Sequence, residues 1–226
     1  MRKIERHLMV SAALFGLFVV FTVIVKLVGV GAVGPLGTTV GFSTLNNAIF
    51  TKLGFKAGWY KLTQCFGYVA ILTMLAFAAM GGLELWQTRS IKSVDKRILL
   101  LGAFYVIVLI VYVFFEKAVV VNYRPVMFDG ELEASYPSSH TILSVCVFGS
   151  AALMLPRLLD KGSRMVIAMS YMMAALGAIT VIGRFLSGVH WFTDIIGGVL
   201  ISASLLLMFY TALEITENTK KGKHQR

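Results

Sequence analysis

Six stretches of this chain are almost entirely apolar, and short polar segments separate them. The stretches cover residues 8–28, 63–86, 98–120, 140–156, 165–183 and 194–213. Each is long enough, or nearly so, to cross a hydrocarbon layer about 30 Å thick as an α-helix. The pattern predicts an all-α integral membrane protein with six transmembrane helices. We see no repeat or linker that divides the chain, so we expect residues 1–226 to form a single membrane domain.

The first apolar stretch follows three cations, Arg2, Lys3 and Arg6, as the apolar part of a secretory signal peptide does. Residues 8–28 are, however, too long for a typical signal peptide. We therefore expect a retained transmembrane helix.

A long connection, residues 29–61, follows this first helix. Its beginning is rich in glycine and irregular. From Ser43, a candidate helix cap, residues 45–50 favour a short helix lying at the membrane interface. Trp59 and Tyr60 fit interfacial anchors in front of the second span. The connection is either a lid or lipid-guiding element, or a plain surface loop.

The composition agrees with a membrane protein. Hydrophobic residues make up 58% of the 226 residues and charged residues only 14%, which is more apolar surface than a soluble domain of this length can bury. The net charge of +10 would suit a nucleic-acid partner, but the cations lie at the ends of the apolar stretches. Membrane topology explains them better, and we expect no nucleic-acid partner. Two cysteines, Cys65 and Cys146, are too few for a disulfide framework or a thiolate metal site.

The positive charges predict how the helices are oriented. Fourteen of the 21 Lys and Arg residues lie on one side of the membrane if the six helices alternate. These are Arg2, Lys3, Arg6, Arg89, Lys92, Lys96, Arg97, Arg157, Lys161, Arg164, Lys220, Lys221, Lys223 and Arg226. Short cytoplasmic segments of membrane proteins are enriched in cations. We therefore expect the protein to lie in the cell membrane with both termini in the cytoplasm and the opposite face outside the cytoplasm.

A first polar cluster, Lys117 with Arg124-Pro125, ends the third apolar stretch. The two cations are seven residues apart, so on a helix they differ in direction by about 20°. Both side chains could therefore face one anion. The alternative is a pair of long cations that reach the membrane surface from a helix end.

A second cluster, Pro137-Ser138-Ser139-His140, opens the fourth stretch. Serine is a good N-cap, and the free N–H groups and dipole of a helix start favour an anion. His140 would lie beside such an anion in the first turn. A structural histidine near the interface is the alternative.

The third cluster contains Arg184, His190 and Asp194. If a helix begins near His190, then His190 and Asp194 share one face as residues i and i+4. A carboxylate that holds one ring nitrogen makes the other nitrogen a better nucleophile. Arg184 is close enough in sequence to reach the same pocket. The alternative is an interfacial ion pair with a histidine beside Trp191.

All three clusters fall on the face that we expect to lie outside the cytoplasm, and independent surface residues would have no reason to share one face. Asp129, Glu131 and Glu133 lie in the connection between the first two clusters. These three acidic residues could bind a metal or select a lipid headgroup. We favour the alternative, in which they form a solvated acidic loop.

Taken in order, Lys-x6-Arg-Pro, Pro-Ser-x-His and Arg-x5-His-x3-Asp resemble the signature of the type 2 phosphatidic acid phosphatase family, which soluble vanadium-dependent haloperoxidases share. The motifs span residues 117–194, and the six-helix plan extends the likeness over most of the chain. The chain has Ser139 where the family usually has glycine, and Gly183 where it usually has serine.

The resemblance implies a role for each matching residue. His190 would be the nucleophile that forms a phosphohistidine, and Asp194 would orient it. His140 would protonate the leaving oxygen and later activate water. The implied phosphate clamp is made of Lys117, Arg124, Ser138, Ser139 and Arg184. No metal or other cofactor is expected.

The resemblance further implies an integral membrane phosphatase whose partners are a lipid phosphate substrate and the surrounding membrane lipids. Bacterial members of the family act on undecaprenyl pyrophosphate, phosphatidylglycerol phosphate and phosphatidic acid. A phosphotransferase that passes the phosphoryl group to an acceptor lipid would use the same residues. A transporter that only holds an anion would need no nucleophile. The transmembrane stretches exclude a soluble haloperoxidase.

Overall fold

The computed structural model describes residues 2–224, and the side chains of residues 2–219. Four of the cations used to predict the orientation therefore lie outside the described side chains. They are Lys220, Lys221, Lys223 and Arg226.

Seven α-helices make up most of the described chain. They are α1 (Arg2–Leu27), α2 (Ser43–Leu53), α3 (Ala57–Thr88), α4 (Lys96–Val113), α5 (Ser139–Leu158), α6 (Arg164–Ser187) and α7 (Phe192–His224). A π-helical turn, Phe114–Ala118, continues α4. All except α2 are long and apolar enough to cross a membrane. The predicted all-helical membrane protein with six spans is confirmed.

Most helices extend beyond the limits that hydropathy predicts. Helix α3 begins at Ala57 rather than near residue 63, and α6 continues to Ser187 rather than ending near residue 183. The hydropathy of the sequence falls at the first polar residue near a helix end. The backbone hydrogen bonds of the helix continue past that residue, so the helix is longer than the apolar stretch. As a result, Arg184 lies within the last turn of α6.

Helices α5 and α7 form the centre of the bundle. Half of the apolar window of each is buried, against 17% to 28% for the other spanning helices. Phe148 on α5 and Leu213 on α7 are completely buried in the main core. The more exposed α1, α3, α4 and α6 present large apolar side chains outward, as expected where hydrocarbon is the solvent. The second and third polar clusters thus lie on or beside the two central helices.

A network of charges joins helix ends at the end of the bundle remote from the clusters. Lys3 Nζ lies 3.4 Å from Glu214, and Arg157 Nε lies 3.3 Å from Glu217. Arg97 donates to the carbonyl of Arg157. These cations come from the starts of α1 and α4 and from the end of α5. Their meeting with the end of α7 agrees with the predicted alternation of helices.

At the other end of the bundle, which we call the motif end, the connection after α1 packs on α7. It contains a short antiparallel pairing of Gly31 with Val40, and then α2. The predicted helix is present but longer than residues 45–50. Ser43 is not its cap, because the helix begins one residue after Phe42, whose left-handed backbone forms the turn. That α2 lies at the membrane interface remains a prediction.

Candidate active site

His190 lies in the short turn between α6, which ends at Ser187, and α7, which begins at Phe192. Gly188 closes α6 with a left-handed backbone (φ 68°), a conformation that glycine adopts without strain. The His190 Nδ1 atom lies 3.1 Å from the carbonyl oxygen of Ser135, so this nitrogen carries the proton and donates it. Nε2 is buried and has no hydrogen-bond partner among the described residues. Its lone pair is therefore not engaged by any described residue.

The electrostatic surroundings keep the His190 imidazole neutral. Burial lowers the pKa of His190 well below its usual value, and the nearby charges of Arg124 and Arg184 lower it further. The hydrogen bond to the Ser135 carbonyl opposes this shift by raising the pKa. A neutral imidazole is the form that can act as a nucleophile at physiological pH.

Asp194 lies in the first turn of α7, four residues after His190 as predicted. Its Oδ2 is 3.8 Å from His190 Nδ1, which is longer than a hydrogen bond. The carboxylate instead accepts from the backbone N–H of Trp191 at 2.9 Å and from Asn122 Nδ2 at 3.0 Å. The first contact is of the capping-box type, in which an acidic side chain reaches back to the start of its helix. Direct orientation of the ring by Asp194 remains a prediction, because here Ser135 accepts the bond.

Arg184 is a buried cation with part of its hydrogen-bonding capacity unused. Its side chain is completely enclosed, Nη2 donates to Gln64 Oε1, and its guanidinium carbon lies 5.3 Å from the centre of the Tyr60 ring. Nε and Nη1 have no partner among the described residues. Burying a guanidinium without an anion is costly, so this arrangement suits an anion-binding site.

Arg124 comes from the connection between α4 and α5. This connection forms a hairpin in which Arg124 N donates to Glu133 O at 3.0 Å and Arg124 Nη1 pairs with Glu133 Oε2 at 2.8 Å. The acidic loop is thus not simply solvated, because one of its carboxylates neutralises a predicted phosphate ligand. Among the described residues, no group of three or more His, Cys, Asp and Glu side chains is arranged to hold a metal.

His140 occupies the second position of α5, after the predicted cap. Ser138 is the N-cap, and its Oγ accepts from Thr141 N at 3.4 Å. Arg124, Arg184 and His190 all act electrostatically on His140. Both histidines and two of the predicted cations therefore converge at the motif end.

Three other predicted phosphate ligands are placed less directly. Ser138 is completely buried, and its N–H donates to the Asp194 carbonyl at 3.0 Å, so its polar groups are engaged in holding α5 and α7 together. Ser139 is half-buried and lines the cavity described below. Lys117 is exposed in the π-helical turn after α4. Contact of these residues with phosphate remains a prediction.

A cavity of about 510 Å³ extends from this site between α3, α4 and α5. Its polar end includes Gln64, Arg124, Ser139 and His140. Its walls are mainly apolar and include Tyr68, Ile71, Leu75, Val108, Leu109 and Leu143. The space thus joins a cationic end to an apolar groove, while Arg184 and His190 lie buried behind the cationic end.

Several site residues lie outside the three sequence clusters. A lone glutamine in an apolar stretch is unusual, so the sequence context of Gln64 indicates a candidate site residue. Tyr60 was predicted to be an interfacial anchor, but its ring faces Arg184 and stacks on Phe128 at 4.8 Å. The Ser135 carbonyl carries no sequence signal, because every residue has one.

Gly183 allows α3 and α6 to approach each other closely. A methyl group added there would lie 2.6 Å from Thr63 Cγ2 and 3.1 Å from Trp59 Cε3. Thr63 is completely buried and cannot move outward. The serine that the family usually has at this position would therefore need different packing from α3.

We expect Gly183→Ala to destabilise the purified protein by about 1–3 kcal/mol through overpacking. Adding Thr63→Ser, which removes Cγ2 and keeps the hydroxyl, should recover part of the loss. Gly102→Ala is the matched control, because nothing lies within 4 Å of its added methyl group. Thermal unfolding in detergent measures all four proteins. Equal stability of Gly183→Ala and Gly102→Ala would contradict the close approach.

Two comparisons with known proteins gave matches. Residues 113–216 match the family model of the PAP2 superfamily, and this segment contains all three clusters. The solved structure of a transmembrane PAP2-type phosphatidylglycerolphosphate phosphatase from Bacillus subtilis matches with a TM-score of 0.57 and 18% sequence identity. The match covers 92% of this chain and 96% of that one, so the two share a fold. A search of curated proteins gave no match. Over residues 113–216 the chain therefore resembles the PAP2 superfamily, and over most of its length it has the fold of that solved structure.

Proposed function

We propose that this protein is a membrane lipid phosphatase that hydrolyses a lipid-linked phosphate or pyrophosphate. The observation that carries the proposal is the buried His190, whose Nε2 has no hydrogen-bond partner among the described residues while Arg124 and Arg184 act on the ring electrostatically. A neutral nucleophile beside cations is what attack on a phosphoryl group requires. Phosphoryl transfer depends mainly on positioning and on neutralising the equatorial oxygens.

In the proposed reaction, His190 Nε2 attacks phosphorus while Arg124 and Arg184 bind the phosphoryl oxygens. The bond between phosphorus and the leaving oxygen breaks, and that oxygen takes a proton from His140. Water then attacks the phosphohistidine and gives a proton to His140. The phosphorus–nitrogen bond breaks, which releases inorganic phosphate and restores both histidines. The Ser135 carbonyl holds the proton on Nδ1 throughout and so keeps Nε2 as the reacting atom.

The shape of the cavity supports a lipid substrate. Its polar end adjoins His140 and Arg124, and its walls are apolar. A phosphorylated headgroup would lie at the polar end, with hydrocarbon along α3 and α4. Undecaprenyl pyrophosphate, phosphatidylglycerol phosphate and phosphatidic acid all combine these two parts. Before binding, Glu133 would have to yield its place on Arg124 to the phosphate.

We further propose that the motif end faces outward from a cell membrane and that both termini are cytoplasmic. The network of Lys3, Arg97 and Arg157 at the other end supports this orientation, because cation-rich ends remain in the cytoplasm. A reporter inserted after Glu131 should be extracytoplasmic. A cytoplasmic signal there would reverse the orientation.

Phosphate release from a panel of purified lipid phosphates tests the function. The panel contains undecaprenyl pyrophosphate, phosphatidylglycerol phosphate and short-chain phosphatidic acid, each with and without a chelator. We expect inorganic phosphate from at least one lipid and no loss of activity with the chelator. Transfer of the phosphoryl group to an added acceptor lipid, with no free phosphate, would instead indicate a phosphotransferase. Activity that the chelator abolishes and added metal restores would contradict the proposed chemistry.

A further inference from the structure

We infer that Asn122 is a positioning residue for the proposed reaction: it holds the carboxylate of Asp194 in place beside His190. The inference rests on the proposed function of the site. Asn122 lies in the connection between α4 and α5, two residues before Arg124, and is almost completely buried. A buried amide at a reaction centre is expected to be fully hydrogen-bonded, and its partners indicate its role.

Both ends of the Asn122 amide are engaged. Nδ2 donates to Asp194 Oδ1 at 3.0 Å, and Oδ1 accepts from the N–H of Gly41 at 3.3 Å. The second bond fixes which way the amide points, so that its N–H groups face the carboxylate. Gly41 belongs to the connection after α1, which contains none of the three clusters. This connection therefore contributes to the support behind the reacting residues.

The backbone of Asn122 reaches the other contact of the His190 ring. Its carbonyl accepts from Ser135 N at 2.9 Å, and the carbonyl of Ser135 accepts the Nδ1 proton of His190 at 3.1 Å. Asn122 thus bonds to Ser135, whose carbonyl orients the His190 imidazole. It also bonds to the Asp194 carboxylate, which lies 3.8 Å from His190 Nδ1.

A second asparagine supports the same helix turn from α2. Asn46 Oδ1 accepts from Thr193 N at 3.3 Å, and Asn46 Nδ2 donates to Thr193 Oγ1 at 2.9 Å. Because Trp191 has no side chain that can cap α7, Asn46 takes the place of a cap from another helix. Asn46 therefore fixes the helix start, whereas of these two asparagines it is Asn122 that bonds to the Asp194 side chain beside the imidazole.

The test uses Asn122→Asp, which has the same shape. It keeps an acceptor for Gly41 N–H, loses the donor to Asp194 and brings two carboxylates together. We expect kcat for short-chain phosphatidic acid, or for whichever panel lipid the wild type turns over fastest, to fall about 10- to 100-fold at alkaline pH with KM changed less than about threefold. The deficit should shrink as the pH is lowered, because a proton shared between the carboxylates restores a donor.

Asn122→Leu and Asn47→Asp complete the experiment. In Asn122→Leu, kcat should fall by a similar factor at every pH. If Asn122→Asp does not fold, the effects on kcat and KM are compared in Asn122→Leu instead. Asn47 is exposed on α2, so Asn47→Asp should retain wild-type kinetics. Thermal unfolding of each protein separates loss of folding from loss of turnover.

Two results would overturn the inference. One is wild-type kcat in both Asn122 variants. The other is a deficit in Asn122→Asp that does not change with pH. A wild-type protein that releases no phosphate from any panel lipid would instead refute the proposed function. The two failures are therefore distinguishable.

Discussion

Replacing His190 by alanine is expected to lower phosphate release by at least about 10⁴-fold, because the substitution removes the only atom that we propose to bond to phosphorus. Binding of the lipid should change far less, since Arg124 and Arg184 remain. His190→Asn is the sharper variant, because its amide N–H can still reach the Ser135 carbonyl while nothing replaces Nε2. It should fold normally and be equally inactive. Initial rates with saturating lipid phosphate measure the effect.

His7→Ala is the matched control for this experiment. His7 lies on α1 at the opposite end of the bundle, 5.5 Å from the Tyr210 ring, and should tolerate replacement without loss of rate. An anion transporter or binding protein would keep its function without His190. Retention of phosphate release in both His190 variants would therefore refute covalent catalysis by this residue.

The same imidazole gives an expected pH dependence. Because burial and two cations lower the pKa of His190, the ring stays unprotonated at pH values where an exposed histidine, with a pKa of about 6.5, is charged. The acidic limb of the kcat/KM profile should therefore lie below about pH 6.5. A His190 pKa above this value, measured by NMR of the imidazole, would contradict the electrostatic description.

Replacing His140 by alanine is expected to have an effect that depends on the leaving group. General acid catalysis contributes about 10²- to 10⁴-fold, so hydrolysis of an alkyl lipid phosphate should fall by that factor. An aryl phosphate, whose leaving oxygen needs no proton, should still form the phosphoenzyme. The second step should then be slow, because no base activates water. A phosphohistidine should accumulate and resist alkali but not acid.

This experiment requires two substrates and one trapping step. The ratio of kcat/KM for the aryl phosphate to kcat/KM for the alkyl phosphate, which reports formation of the phosphoenzyme, should rise strongly in His140→Ala and remain unchanged in His7→Ala. Wild-type turnover of an alkyl phosphate by His140→Ala would remove His140 from the mechanism. A uniform loss on both substrates, without a trapped phosphoenzyme, would assign it a binding role instead.

The spans and the clusters are predictable because they rest on strong local signals. A run of about twenty apolar residues rarely forms anything other than a membrane-spanning helix. His190 and Asp194 are four residues apart, so they share one face of any helix that contains both. The ends of helices are less predictable. Helix α6 continues through Arg184 because backbone hydrogen bonds form whether the side chains are apolar or polar. This extension of the helix encloses the Arg184 guanidinium.

The contacts behind the site are not predictable from one sequence, since they depend on how distant segments meet. Tyr60 before a span has the sequence context of a membrane-interface residue, yet its ring faces Arg184 because α3 packs against α6. Asn122 fits an ordinary loop asparagine, and Asn46 an ordinary polar residue of a short surface helix, until α2 and the hairpin of Arg124 are placed against α7. The role of the Ser135 carbonyl is visible only in the structure, where it lies within hydrogen-bond distance of the His190 ring.

The central position of α5 and α7 separates two tasks within the molecule. His140 and His190 lie at the starts of these buried helices, whereas much of the apolar groove is formed by side chains of α3 and α4 such as Ile71 and Leu109. Replacements on those outer helices can reshape the groove and leave the paired helix starts undisturbed. One reaction centre can in this way serve lipids with different tails, so related proteins can diverge in substrate while their chemistry stays the same.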